Sequence, residues 1–231
     1  MTWPDLRDDP PRTVMIPLGS VEQHGPHLPL STDLRVAEHV ASGLESRRPE
    51  LVLAPGLPYG AAGEHEGFPG TVSIGQEALR LVLVEAGRSA CRWAARLVFV
   101  NGHGGNVGAL VEAVRLLRYE GRDVAWLPCA APGVRGDAHA GRIETSLLLD
   151  LDPAAVQVDR AEAGATAPLR ELLPVMREGG VEAVSPNGVL GDPAGASAEE
   201  GAALFAAIVD AGVRAIDGWA PDAETGRLAW S

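Results

Sequence analysis

Residues 17–33 read Pro-Leu-Gly-Ser-Val-Glu-Gln-His-Gly-Pro-His-Leu-Pro-Leu-Ser-Thr-Asp, a glycine- and proline-rich turn that follows an apolar run. The turn holds four side chains able to bind a hard or borderline metal: Glu22, His24, His27 and Asp33. Glu22 and His24 are one residue apart, so in an extended backbone both point to the same side and can meet at one cation. Asp33 stands where an apolar stripe begins, formed by Leu34, Ala37, Val40, Ala41 and Leu44. Its carboxylate therefore sits near a helix N-terminus, where a short acidic side chain can bridge two cations. The stretch reads as a metal site. His27, set among prolines, reads instead as a structural residue that fixes the loop by a hydrogen bond.

Two further constellations carry chemistry. Asn101-Gly102-His103-Gly104-Gly105-Asn106 follows the apolar run 97–100. In open α/β sheets ligands bind at the carboxyl ends of strands, and His103 lies just past such an end, between glycines that let backbone approach a ligand. The same residues also suit a tight turn with a hydrogen-bonded histidine. A phosphate cradle is a third reading, although the Lys-Ser/Thr pair of a P-loop is missing. The other constellation, His139-Ala140-Gly141-Arg142-Ile143-Glu144-Thr145-Ser146, leads into a helical run. A hydrolytic site needs one group to take a proton from water and one to give a proton to the leaving amine. His139 and Glu144 could fill those posts, with His139 preceding the helix and Glu144 projecting from its first turns.

The elements that must position these groups alternate. Strands are expected at 13–18, 51–54, 97–100 and 123–127, with helices between them, which argues for a largely parallel sheet covered by helices. A helix over 76–95 carries Leu79, Leu83, Ala86 and Ala90 on one face. Another carries Val107, Leu110, Val111, Val114 and Leu117. Residues 59–75 form a glycine-rich excursion long enough to be a functional loop, in which Glu64, His65 and Glu66 could line a substrate cleft. The loop 188–195 could close over a substrate. Ser197 opens a final helix, 198–216, with Glu200 completing a capping box.

Composition bounds the answer. A chain of 231 residues suits a single domain, 1–231, with a full core. Nineteen Lys and Arg against 31 Asp and Glu give a net charge of −12, which disfavours nucleic acid and anionic membrane as partners. Cys91 and Cys129 are too few and too isolated for a disulfide framework or a cysteine zinc site. The N-terminus lacks the plan of a signal peptide and no apolar run is long enough to span a membrane, so a soluble, cytoplasmic protein is expected.

Taken together, the segments resemble the creatininase family of metal-dependent amidohydrolases. The likeness rests on Gly19-Ser20-Val21-Glu22-Gln23-His24-Gly25-Pro26-His27-Leu28-Pro29 with Thr32-Asp33, on residues 101–106, and on His139-Ala140-Gly141 with Glu144-Thr145-Ser146. Phe68-Pro69-Gly70-Thr71, Pro186-Asn187-Gly188-Val189 and Gly191-Asp192-Pro193 extend it over nearly the whole chain. The resemblance implies a three-layer αβα sandwich with a mostly parallel central sheet. It also implies a homo-oligomer and two divalent metal ions per subunit, zinc or Fe(II) with manganese possible. By the same resemblance Glu22 and His103 hold one metal, His24 holds the second, and Asp33 bridges them. Creatininase has a further glutamate ligand where this chain has Gly105. Glu144 is nominated in its place, either as ligand or as base, and His139 matches a histidine that moves protons. Within the family, residues 160–168 and 179–193 are most similar to members that cut a modified precursor peptide of a ribosomally made redox cofactor. In those members the amide before a cross-linked C-terminal Val-Tyr pair is broken and a small heterocycle is released. The tryptophans that cover creatinine in creatininase have no counterpart in residues 128–138. Alternatives from the sequence are another amidohydrolase of the family, acting on creatinine or as a pyrimidine deformylase, or a non-catalytic metal or nucleotide binder.

Overall fold

The computed structural model describes residues 2–7, 13–134 and 136–230. Four parallel strands make the sheet, β1 (Thr13–Leu18), β2 (Val52–Leu53), β3 (Arg96–Asn101) and β4 (Val124–Pro128), in the order β2-β1-β3-β4. β1 and β3 lie side by side in register from Thr13 opposite Arg96 to Leu18 opposite Asn101, so their carboxyl ends deliver two loops to the same place.

Side chains alternate across a strand, and here the alternation splits the core in two. Met15, Val98, Val100, Ala125 and Leu127 face a cluster built with three helices, α2 (Thr32–Arg47), α5 (Arg142–Leu151) and α7 (Ala198–Gly218). Val14, Ile16, Leu18, Leu97, Phe99, Val124 and Trp126 face the other way, onto α3 (Gly75–Ala90) and α4 (Val107–Tyr119). These are the three layers expected. A short α1 (Trp3–Arg7) leads into the sheet region, and α6 (Leu169–Gly179) lies outside both cores with no buried residue. Among the described residues no helix is long and apolar enough to cross a membrane.

Several boundaries move. The second strand shrinks from the expected 51–54 to two residues, and α3 stops at Ala90, where Cys91 caps it and turns follow, rather than running to 95. The capping box of α7 is half formed. Ser197 Oγ accepts from the Glu200 amide at 3.2 Å, but the Glu200 carboxylate accepts from Arg142 Nε at 2.8 Å and Ser146 Oγ at 2.9 Å instead of reaching back. Glu200 thus ties the start of α7 to α5. Cys91 and Cys129 are free thiols, both partly exposed.

Candidate metal centre

All the site residues arrive at the carboxyl edge of the sheet. The loop after β1 brings Glu22 and His24, the turn after β3 brings His103, and the first turn of α2 brings Asp33. His139 precedes α5, and Glu144 sits in its first turn. Asn106 ties the β1 loop and the β3 turn to the 59–75 excursion. Its Oδ1 accepts from the Ala61 amide at 2.9 Å, and its Nδ2 donates to Gly19 O at 3.0 Å and to Asn101 Oδ1 at 3.2 Å. That structural use, with His103 turned to the carboxylates, leaves the phosphate-cradle reading of this turn without support.

Glu22, His24, Asp33, His103 and His139 are all buried. His24 Nε2 lies 3.2 Å from Asp33 Oδ1, and His103 Nδ1 lies 3.1 Å from Glu22 Oε2 and 3.4 Å from Asp33 Oδ2. His139 Nδ1 is 3.6 Å from Glu22 Oε1. Three groupings have ligand-capable atoms within 4.8 Å of one another: Glu22, His24 and His139; Glu22, Asp33 and His103; and His24, Asp33 and Glu144. Sharing of Glu22, His24 and Asp33 among the groupings makes them one cluster.

The protonation of this cluster follows from its backbone partners. His24 Nδ1 is 3.2 Å from Glu22 O, His103 Nε2 is 3.2 Å from Ala61 O, and His139 Nε2 is 2.7 Å from Gln23 O. A carbonyl only accepts, so each of those nitrogens carries the hydrogen, and the opposite nitrogen of each neutral ring turns a lone pair toward carboxylates. Facing lone pairs repel unless a cation or proton lies between them. Both Glu22 oxygens and Asp33 Oδ2 are buried without a hydrogen-bond partner. Such orphaned carboxylate oxygens are costly, and a divalent cation satisfies them. Imidazole and carboxylate ligands suit zinc, iron and manganese alike.

Without metal, protons must do the same work. Burial alone would lower the His24 imidazolium, but facing Asp33, with Glu144 and Glu22 behind it, raises it to about 10. Burial likewise opposes charge on His103, and Glu22, Asp33 and Glu64 outweigh it, lifting it to about 9. Burial would raise the Glu22 carboxyl, yet the surrounding imidazoles hold it well below the usual range. Asp33 is pushed up by burial and then by the Glu22 charge, and Glu144 by burial and by the nearby Asp33 and Glu22. His139 is driven well below its ordinary value by burial and by His24 and His65.

Gly105, the position of creatininase's additional glutamate, has no room for a side chain. A Cβ there would collide with His103 Nε2 and lie 2.5 Å from Ala61 O. Glu144 stands with His24 and Asp33 instead, its Oε2 accepting from the Ala140 amide at 2.5 Å. His27 is buried and bonded through Nε2 to Thr145 Oγ1 at 2.9 Å, which ties the ligand loop to α5 as a structural histidine would. Of the 59–75 excursion, Glu66 is exposed, Glu64 is half-buried near His103, and His65 penetrates the site, with Nε2 3.3 Å from Glu22 Oε1. Gln23 went unread in the sequence. It lies between two candidate ligands, where strand alternation would send it the other way.

Two cavities flank the cluster and share Asp33, Gly102 and Glu144. One, about 360 Å³, is floored by Val36, Ala131, Val134, Ile143 and Leu147. The other, about 380 Å³, opens between His65, His103 and His139 and the apolar face of α6, namely Leu169, Leu173 and Met176. From the 128–138 stretch, Cys129, Ala130, Ala131, Val134, Gly136 and Asp137 line the first cavity, and none of them is a tryptophan.

A family model described as Creatininase: Creatinine amidohydrolase matches residues 1–216. A mycofactocin precursor peptide peptidase of Mycobacterium tuberculosis (strain CDC 1551 / Oshkosh) is 58% identical over 218 residues, covering 90% of this chain and 86% of the relative. Among solved structures, Creatininase Mn superposes with a TM-score of 0.79 at 29% identity, covering 96% of this chain and 97% of the other. A variant creatininase of Zn-Zn type gives 0.80 at 30% identity over the same shares.

Proposed function

The chain belongs to the creatininase family, and from that premise we propose that it is a metal-dependent hydrolase, a peptidase that acts on the mycofactocin precursor peptide during redox-cofactor biosynthesis. The observation that carries this reading is the cluster of buried Glu22, His24, Asp33 and His103 with half-buried Glu144, in a chain 58% identical over 218 residues to such a peptidase. Glu22 and His103 would hold one divalent ion and His24 the other, with Asp33 between them and Glu144 serving either as a further ligand of the second ion or as the base. Zinc, Fe(II) or manganese would fit, two per subunit. When bound, such ions lower the pKa of a water from about 16 toward neutrality and polarise a carbonyl.

The protein's own groups do the rest. His139 keeps its hydrogen on Nε2 against Gln23 O, so Nδ1 accepts a proton first and hands it to the leaving nitrogen afterwards. A neutral imidazole held this way has no hydrogen on its inner nitrogen, so it takes a proton before it can give one. In the base role Glu144, whose carboxyl burial pushes up, is the second group able to hold a proton beside the reacting amide. The bond cut is the amide before the modified C-terminal Val-Tyr pair. Cavities on both sides of the cluster let a chain pass across it, with the released heterocycle on the enclosed apolar floor.

The protein works as one domain over 1–231 and as a cytoplasmic homo-oligomer. The exposed alanines of α7, Ala202, Ala203, Ala206 and Ala207, offer a close-packing surface for subunits. The test is to incubate metal-loaded protein with the cross-linked precursor peptide and follow fragments by mass spectrometry. Appearance of the C-terminal heterocycle is expected, and its absence would overturn the peptidase assignment.

A further inference from the structure

Four imidazoles reach the cluster, and one is held differently from the others. His24, His103 and His139 each rest an outer nitrogen on a backbone carbonyl. The outer nitrogen of His65, Nδ1, instead meets the side chain of Gln23, with Nε2 of the amide at 2.8 Å.

Which end of the Gln23 amide faces His65 is fixed by two backbone groups. Gln23 Oε1 accepts from the Gly25 N–H at 2.9 Å, and Gln23 Nε2 donates to Gly188 O at 3.0 Å. Turning the amide over would set a carbonyl oxygen against a carbonyl and an NH2 against an N–H. The nitrogen at His65 is therefore a donor, and His65 Nδ1 can only accept. The third neighbour of Gln23 Nε2, His139 Nε2 at 3.0 Å, has its own acceptor in Gln23 O and needs nothing from the amide. Gly188 completes the arrangement. Its φ of +81° is open to glycine, and a Cβ there would run into the Gln23 amide.

With Nδ1 accepting, a neutral His65 carries its hydrogen on Nε2, the nitrogen 3.3 Å from Glu22 Oε1. We propose that Gln23 locks His65 as the Nε2–H tautomer, so that His65 turns a polar N–H, not a lone pair, toward the Glu22 carboxylate 3.3 Å away and positions it by that contact, while the other three histidines offer lone pairs. His65 is thus a positioning residue and Gln23 its orienter. The Pro186–Val189 turn, remote in sequence, holds the Gln23 amide in place. This rests on the reading of Glu22 as a ligand, but its first test does not.

Long-range proton–nitrogen NMR of the imidazoles in 15N-labelled protein reads each tautomer directly, in the metal-free form and after loading with zinc alone. His65, identified by the signal missing in His65→Asn, should show a protonated Nε2 and a bare Nδ1. A protonated Nδ1 in the wild-type protein would overturn the proposal without any variant having to fold. Gln23→Glu, which offers only acceptors, should move the hydrogen to Nδ1, and an unchanged His65 pattern in that variant would contradict the role of Gln23. Zinc affinity, measured by competition with a chelator, should fall about ten- to a hundredfold in His65→Leu, with partial rescue in His65→Gln, which keeps a donor. Equal zinc affinity in wild type and His65→Leu would sink the positioning role. A failure of peptide cleavage alone would touch only the assigned reaction.

Discussion

On the proposed function, Asp33 is the residue on which double metal occupancy would turn. It shares ligand-capable groupings with Glu22 and His103 on one side and with His24 and Glu144 on the other. Asp33→Ala should abolish binuclear loading, leaving one metal per chain or fewer by elemental analysis, and two retained metals would contradict the bridging role. The imidazoles make a separate prediction about pH. His24 and His103 are raised to about 10 and about 9 in the metal-free protein, so at pH 7 both carry protons that a metal must displace. Calorimetric zinc titrations in buffers of different ionisation enthalpy should report release of about two or more protons per chain. A folded pKa above the ordinary 6.5 gives stability that is present in full below that value and lost as pH rises through the folded pKa. Metal-free protein should therefore lose thermal stability between about pH 6.5 and 10, and a Tm flat across that window would count against these ion pairs.

At the scale of elements, the site depends on how closely the ligand turns pack on α2. A Cβ on Gly19 would lie 2.5 Å from the Leu34 backbone, and one on Gly102 would collide with the Asp33 carbonyl. Backbone cannot yield as a side-chain tip can. Gly102→Ala should cost about 1–3 kcal/mol by denaturant unfolding and should lower metal loading, because the turn can relieve the clash only by pushing Asp33 away. Unchanged stability and loading would show that the contact is slack. The strands bearing the site were legible because β1 and β3 are apolar runs ending at punctuated turns, and the first turn of α2 was legible because an apolar stripe starts there. The helix α6 was not. Its Pro174 argues against a helix interior and it buries no residue, so it lacks the core-facing signal on which sequence reading depends. Glu200 misled for a related reason. The local pattern offered a capping box, and Arg142 and Ser146, more than fifty residues away in sequence, took the carboxylate instead. Gln23 and His65 show the same limit inside the site, since a tautomer is set by neighbours that sequence spacing does not bring into view.

For the whole molecule, the cluster joins segments from different layers as well as forming the proposed metal centre. Its side chains come from the β1 loop, the β3 turn, α2 and the start of α5, with His65 reaching in from the excursion before α3. The helices α2 and α5 belong to one apolar core, while the excursion leads into the other. Unfolding scatters these groups, so metal bound to the native state alone adds RT ln(1 + [M]/Kd), about 4 kcal/mol when free metal is a thousandfold above Kd. For a chain of this length that corresponds to a Tm change on the order of 10 °C. Removing metal also exposes the cost it was offsetting, because the Glu22 oxygens and Asp33 Oδ2 are buried without hydrogen-bond partners. Chelated protein should therefore melt at a lower temperature than loaded protein, and added zinc should restore the transition. Asp33→Ala should respond to zinc less than the wild type, since one of its positions has lost a ligand. A wild-type Tm indifferent to both chelator and zinc would mean that the layers hold together without the centre, and the buried carboxylates would then need some other cation.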